Sequence, residues 1–156
     1  MNTDKVIKVT ILKDDMCFTD KPTGKEVAAI RKRLENKLPE KLTIDELFEV
    51  IKRGNTVVPG VSKDGTKKEN FVLQDIIMID IDNKDGTSIL TQEDALKICE
   101  DNGLSPLGLY HTFSSTKDCP RFRLIFRLDK TVYDRAEVEF ILKVLISLFP
   151  NADKQC

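Results

Sequence analysis

The sequence predicts an α+β fold whose sheet is mostly antiparallel. Three observations carry that expectation. The residue patterns read in the order βαα, loop, β, α, ββ, α, so strands do not alternate regularly with helices. The segment Phe71 to Asp82 is apolar on both faces from Ile76 to Ile79, as a central strand covered on both sides would be. Two later β-rich runs, Leu107–Phe113 and Arg121–Leu128, flank the polar turn Ser114–Pro120 and read as a hairpin.

The first strand is expected over Val6–Leu12, where β-branched residues concentrate, followed by a loop through Asp14, Asp15 and Pro22. Val27, Ile30, Arg31 and Leu34 recur at near-helical spacing, so a helix is expected from about Lys25 to Lys37. Thr43 and Glu46 form a capping box that opens a second helix, Ile44–Arg53, and Gly54 closes it. Residues 54–70 read as a loop, with the turn signal Asp64-Gly65 and the lysines Lys67 and Lys68. After the central strand, Thr91 caps a helix from Gln92 to about Asp101, which Gly103 ends. The last helix is expected from about Asp134 to Phe149, before Pro150. This order fits an RRM-like sandwich, a mostly antiparallel sheet packed with helices.

At 156 residues the chain suits one domain, read as a βαα portion over 1–55 and a second portion over 56–156. A chain of this size buries roughly two-thirds of its unfolded surface and folds without a disulfide or metal staple. Its 40% hydrophobic and 33% charged composition is that of a globular protein. The apolar runs Phe140–Leu142 and Val144–Ile146 are too short to span a bilayer, and the charged N-terminus lacks an apolar signal core. A cytoplasmic protein without a membrane partner is expected. Cys17, Cys99, Cys119 and Cys156 are widely spaced, with no C-x-x-C pair, so reduced thiols are expected and a zinc site is not. The net charge of -1 gives no global attraction to nucleic acid, so any such contact needs a local patch.

Asp80 and Asp82 end the central strand. The period of two puts them on one face with Cα atoms roughly 6–7 Å apart, close enough to bracket a metal ion. Crowded there, they need a counter-charge, either a cation or basic side chains. Magnesium or manganese would suit an all-oxygen site facing a phosphate-bearing substrate. The strand pattern alone leaves a plainer reading open, in which the pair begins the polar turn Asp82–Gly86 and meets water. An EF-hand loop fails on register, since counting from Asp80 places Asp85 where glycine is required.

Arg121, Arg123 and Arg127 alternate with Phe122, Leu124, Phe126 and Leu128, giving one largely cationic and one apolar strand face. An exposed arginine row is usually a solvated face. Here it follows Leu109–Thr116, which ends in hydroxyls and carries the only histidine. Arginine forks match phosphate oxygens, and Ser, Thr and neutral His add shorter-range bonds. His111 reads equally as a base or phosphate contact and as a ring satisfied by backbone, on the same strand parity as Phe113 and Ser115.

On four ordered segments the sequence resembles the archaeo-eukaryotic primase superfamily, in particular the primase-polymerase-like N-terminal domains of phage and plasmid replication proteins. The segments are Lys67–Phe71 leading to Ile77–Asn83, then Tyr110–Ser115, then Pro120–Phe126, and finally Phe149–Asp153. The resemblance covers residues 65–156. Its second motif reads His-Thr-Phe-Ser-Ser-Thr where many members have Ser-x-His. It implies a catalytic core truncated shortly after Asp153, and a DNA primase or primase-polymerase acting in replication of a phage, plasmid or mobile element. Asp80, Asp82 and Asp153 would be the catalytic carboxylates holding two Mg²⁺ or Mn²⁺ ions, and His111, Ser114, Ser115, Arg121 and Arg123 would bind the incoming nucleotide. Expected partners are nucleoside triphosphates, a single-stranded DNA template and a downstream helicase domain or protein.

Two other functions compete. A non-catalytic module on the same sheet would bind single-stranded nucleic acid or an origin, but most of the 8 Phe and 2 Tyr fall on apolar faces, which disfavours base stacking. A phosphohydrolase would use Asp80-x-Asp82 with Asp85-Gly86-Thr87, but the spacing is too long for the usual nucleophile loop.

Overall fold

The computed structural model describes residues 6–84 and 88–154. Its elements, in chain order, are β1 (Lys8–Cys17), α1 (Gly24–Leu34), β2 (Glu40–Thr43), α2 (Ile44–Lys52), β3 (Asn55–Val58), β4 (Gly60–Ser62), a short 3₁₀ turn (Lys68–Asn70), β5 (Phe71–Asp82), α3 (Gln92–Asp101), β6 (Gly108–His111), β7 (Arg121–Val132) and α4 (Arg135–Leu148). The fold is α+β with antiparallel strand pairing, as expected. The central strand has the expected ends, and β6 and β7 pair as the expected hairpin.

The chain forms two compact units, Met1–Ile76 with Lys130–Arg135, and Ile77–Asp129 with Ala136–Cys156. Strands β5 and β7 are neighbours in one sheet.

In the first unit, β1 is longer than the expected Val6–Leu12 because it has partners on two sides. Lys8–Ile11 pair with Glu40–Thr43 of β2, and Leu12–Cys17 pair with Asn55–Val58 of β3. Asp14 therefore lies within a strand rather than a loop. It is fully buried, and both its carboxylate oxygens accept bonds from Arg33, at 2.7 and 2.6 Å. The expected loop over 54–70 is corrected in the same way, since its first part forms β3 and β4. Pro59 falls between these strands, where its missing N–H breaks no ladder. Helix α1 stops at Leu34 rather than Lys37. Leu38 precedes Pro39, which disfavours helical geometry there, and Lys37 N–H closes the turn on Leu34 C=O at 3.2 Å. The core of this unit gathers Leu12, Ile30, Leu34 and Val61. Gly54 ends α2 with φ +87°, and a Cβ there would lie 1.9 Å from the Phe18 carbonyl oxygen.

In the second unit, Ile77, Ile79 and Ile81 of β5 and Phe122, Leu124 and Phe126 of β7 form one core. Ala95 and Cys99 of α3 and Leu145 of α4 join it, together with Phe149. Two-residue periodicity sends the intervening Asp80, Asp82, Arg121 and Arg123 to the opposite sheet face. Among the described residues no helix is long and apolar enough to cross a membrane.

Candidate functional site

The site grows from the end of β5. Ile81 makes an antiparallel bridge with Ala152, in which Asp153 N–H donates to Asp80 C=O at 2.9 Å and Asp82 N–H donates to Asn151 C=O at 3.0 Å. Residues 151–153 thus add beside β5, with Asp153 opposite Asp80 and Asn151 opposite Asp82. Residues opposite one another in an antiparallel pair share a face, so Asp80, Asp82 and Asp153 emerge on the same side.

On the other side of β5 the acids meet the arginines of β7 in two rungs. Arg123 binds Asp80 through two nitrogens, with Nη2 donating to Oδ2 at 2.7 Å and Nε donating to Oδ1. Arg121 Nε lies 3.0 Å from Asp82 Oδ1 and also donates to Asn83 C=O at 3.1 Å. The first rung is the drier, with 27% of the Asp80 and 29% of the Arg123 side chain exposed, against 42% for Asp82. Register on β6 sets Tyr110 opposite Arg123. Arg123 Nη1 donates to the Tyr110 hydroxyl at 3.0 Å, and its guanidinium lies 5.8 Å from the centre of that ring. One row therefore crosses the sheet as Asp153, Asp80, Arg123, Tyr110.

Burial works against the charge of Arg123, but the hydrogen bond with Asp80, together with Tyr110, outweighs it and holds the guanidinium above its ordinary pKa. Burial pushes the Tyr110 phenol above its usual value, and nearby Arg123 pulls it part of the way back. The row is thus a cation locked between a carboxylate and a neutral phenol.

His111 is not part of this row. It stands opposite Phe122, whose ring lies 6.5 Å away edge-on, so it belongs to the other sheet face, at an exposed margin. Its Nδ1 is 2.8 Å from Ser115 Oγ, and its Nε2 meets the Gln92 amide nitrogen at the start of α3. With that amide as donor, the ring proton sits on Nδ1 and is donated to Ser115. Ser115 Oγ also accepts Arg121 N–H at 2.9 Å, which leaves its hydroxyl hydrogen for another acceptor. Ser115 is thereby the one link between His111 and the arginine strand among these bonds. Ser114 is half-buried in the same turn.

The residue that sequence reasoning missed is Asn83. Its side chain is fully buried and donates to Leu90 C=O at 2.9 Å and Pro120 C=O at 2.6 Å. Its Oδ1 accepts Leu90 N–H at 2.9 Å and the Asn151 amide. It thus ties the end of β5 to the segments that present Arg121 and Asp153. An asparagine following two aspartates looks like the start of a turn, and nothing in the local pattern marks it as buried.

A cavity of about 420 Å³ opens beside the second rung, lined by Asp82, Lys84, Asn151, Asp153 and Lys154 among others. The all-oxygen donors Asp80, Asp82 and Asp153 suit a hard divalent ion. Among the described residues no three acidic, histidine or cysteine side chains are gathered closely enough to hold one; Asp80 and Asp82 turn to the arginines instead. Cys17 is exposed, while Cys99 and Cys119 are buried and unpaired. Cys156 and the Asp85-Gly86-Thr87 motif lie outside the described residues. No family model, curated protein or solved structure matches the chain.

Proposed function

We propose that this chain is the catalytic core of a metal-dependent nucleotidyltransferase of the primase-polymerase type, built on an RRM-like sheet. What supports this reading is the row Asp153–Asp80–Arg123, which brings a third carboxylate from a distant part of the sequence beside the acid pair and sets phosphate-matching guanidinium groups next to it. Asp80, Asp82 and Asp153 would hold Mg²⁺ or Mn²⁺. Bound ions of this kind supply the charge that activates a 3′-hydroxyl and steadies the leaving pyrophosphate. Arg121 and Arg123 orient the triphosphate, and Ser115 donates its hydroxyl hydrogen to a phosphate oxygen. The neighbouring Ser114 serves the same phosphates, and His111 fixes Ser115. The substrates are nucleoside triphosphates on a single-stranded DNA template, in replication of a phage, plasmid or mobile element in a bacterial cytoplasm, alongside a helicase domain or protein.

A second reading, a module that binds single-stranded nucleic acid without catalysis, gains from Phe113, which is exposed next to Ser114 and available for stacking. Titration with MnCl₂ and a nucleoside triphosphate separates the two. The enzyme reading expects metal-dependent nucleotide binding that Asp80→Ala/Asp82→Ala abolishes. Nucleotide binding that needs no metal and survives the double substitution contradicts it.

A further inference from the structure

Helix α4 carries more apolar surface than its core contact uses. Leu145 is buried in the core of the second unit, and Ile141, Leu142 and Ile146 pack against it. The side turned away from that core is apolar as well. Phe140 is 68% and Val144 46% exposed, and their spacing of four residues stacks them on one face. Ala136 and Ser147, both exposed, continue the stripe at either end. A helix that is apolar nearly all round is ordinarily a covered one, yet here the outer stripe is left in water. We infer that this face docks on the same face of a second copy of the chain, with the two α4 helices antiparallel, in a weak and reversible homodimer.

The choice of a second copy rests on charge order and shape. Glu139 and Lys143, one turn apart, line a single flank of the stripe, and Lys143 is exposed. A two-fold axis passing near residue 141 reverses that order in the second copy. Lys143 then comes level with the second copy's Glu139 on the same flank, and Glu139 with its Lys143. The same axis sets the two Phe140 rings side by side with an offset of roughly 3 Å along the helices, which suits offset stacking. A parallel copy places the two charged flanks on opposite sides of the seam and loses both pairs. Ala136 and Ser147 are small, so neither end of the stripe holds the backbones apart. Because the two faces are identical, the contact closes on itself and association stops at two. No residue of the acid–arginine rungs takes part. The contact is also small: α4 has 14 residues, a length of about 21 Å, and such a pair covers less than the roughly 1,600 Å² of a standard interface. A dissociation constant weaker than about 1 µM is therefore expected.

Sedimentation velocity of the full chain over about 1–500 µM tests this, and should show monomer giving way to dimer with no larger species. Phe140→Ser removes an exposed ring, so it should leave the urea midpoint unchanged while weakening dimerisation at least about 10-fold. Glu139→Lys and Lys143→Glu each set like charges across the seam and should lower self-association. An equimolar mixture of these two variants should recover it, because each supplies the charge that the other lacks. Non-specific apolar adhesion gives no such recovery. A chain that stays monomeric throughout that range would overturn the inference and hand the face to a different partner. A dimer indifferent to Phe140→Ser, or charge variants that fail to recover on mixing, would overturn it as well.

Discussion

Arg123 grips both oxygens of Asp80 from the neighbouring strand, and Tyr110 holds the far side of the same guanidinium. Because this rung is largely shielded from water, removing one member strands the other. Arg123→Ala is expected to destabilise the fold by about 2 kcal/mol, below the ~3–5 kcal/mol of a fully buried pair because both side chains keep some exposure. Asp80→Ala/Arg123→Ala should cost less than the sum of the single changes, a coupling readable from urea unfolding of the four proteins in the cycle.

Asn83 satisfies groups from three segments with one buried amide. Asn83→Ala leaves Leu90 N–H and the carbonyls of Leu90 and Pro120 without these partners, and a loss of about 2–4 kcal/mol is expected. Asn83→Asp should be at least as damaging, since a carboxylate cannot donate to either carbonyl. Urea midpoints near those of the unaltered protein would contradict the role assigned to this residue.

Helix α2 begins with a reciprocal cap in which Thr43 N–H donates to Glu46 at 2.8 Å and Glu46 N–H donates to the Thr43 hydroxyl at 3.2 Å. Thr43→Ala is expected to cost about 1 kcal/mol. The bond from Thr43 N–H, with that from its hydroxyl, holds the Glu46 carboxyl below the ordinary glutamate value. A lowered folded value means that the unfolded chain binds more protons in the intervening range. Glu46 thus contributes stability that is fully present above the usual glutamate range and is lost as pH falls through the lowered value. Stability measured against pH should fall less steeply in that acid window for Glu46→Gln.

The thiols should separate by burial. Cys17 is exposed and should react readily with a thiol reagent, while Cys99 and Cys119 should wait for opening of the fold. Burial also raises the Cys99 thiol above its usual value, which keeps the reactive thiolate scarce. The rates are best followed in Cys156→Ser, where the reactive thiols are those three alone. Prompt labelling of Cys99 in the native protein would contradict the described core.

What could be read from sequence depended on how local the signal was. The apolar run of β5 and the Thr43–Glu46 cap are complete within a few residues, and both appear where expected. Strands β2, β3 and β4 have three or four residues each, with Pro39, Gly54 and Pro59 beside them and Gly60 opening β4. Their pairing with β1 and β5 is what makes them strands, and no local pattern carries it. The cap at Thr23 and Glu26 is as regular as the one at Thr43 but hides between Pro22 and Gly24. At the site, parity correctly put Asp80 with Asp82 and Arg121 with Arg123 on shared faces. It left open whether the arginines face solvent, phosphate or the acids. That answer depends on strand order, as does the separation of His111 from Arg123 onto opposite faces.

If Asp80, Asp82 and Asp153 carry nucleotidyl transfer as proposed, templated synthesis depends on each of them. With Mn²⁺, labelled nucleoside triphosphates and single-stranded DNA, the protein should form labelled product, with Asp80→Asn and Asp153→Asn each lowering the rate at least about 10²-fold, as removal of transition-state charge stabilisation does. Synthesis undiminished by either substitution, or no synthesis by a folded protein that still binds single-stranded DNA, would contradict it.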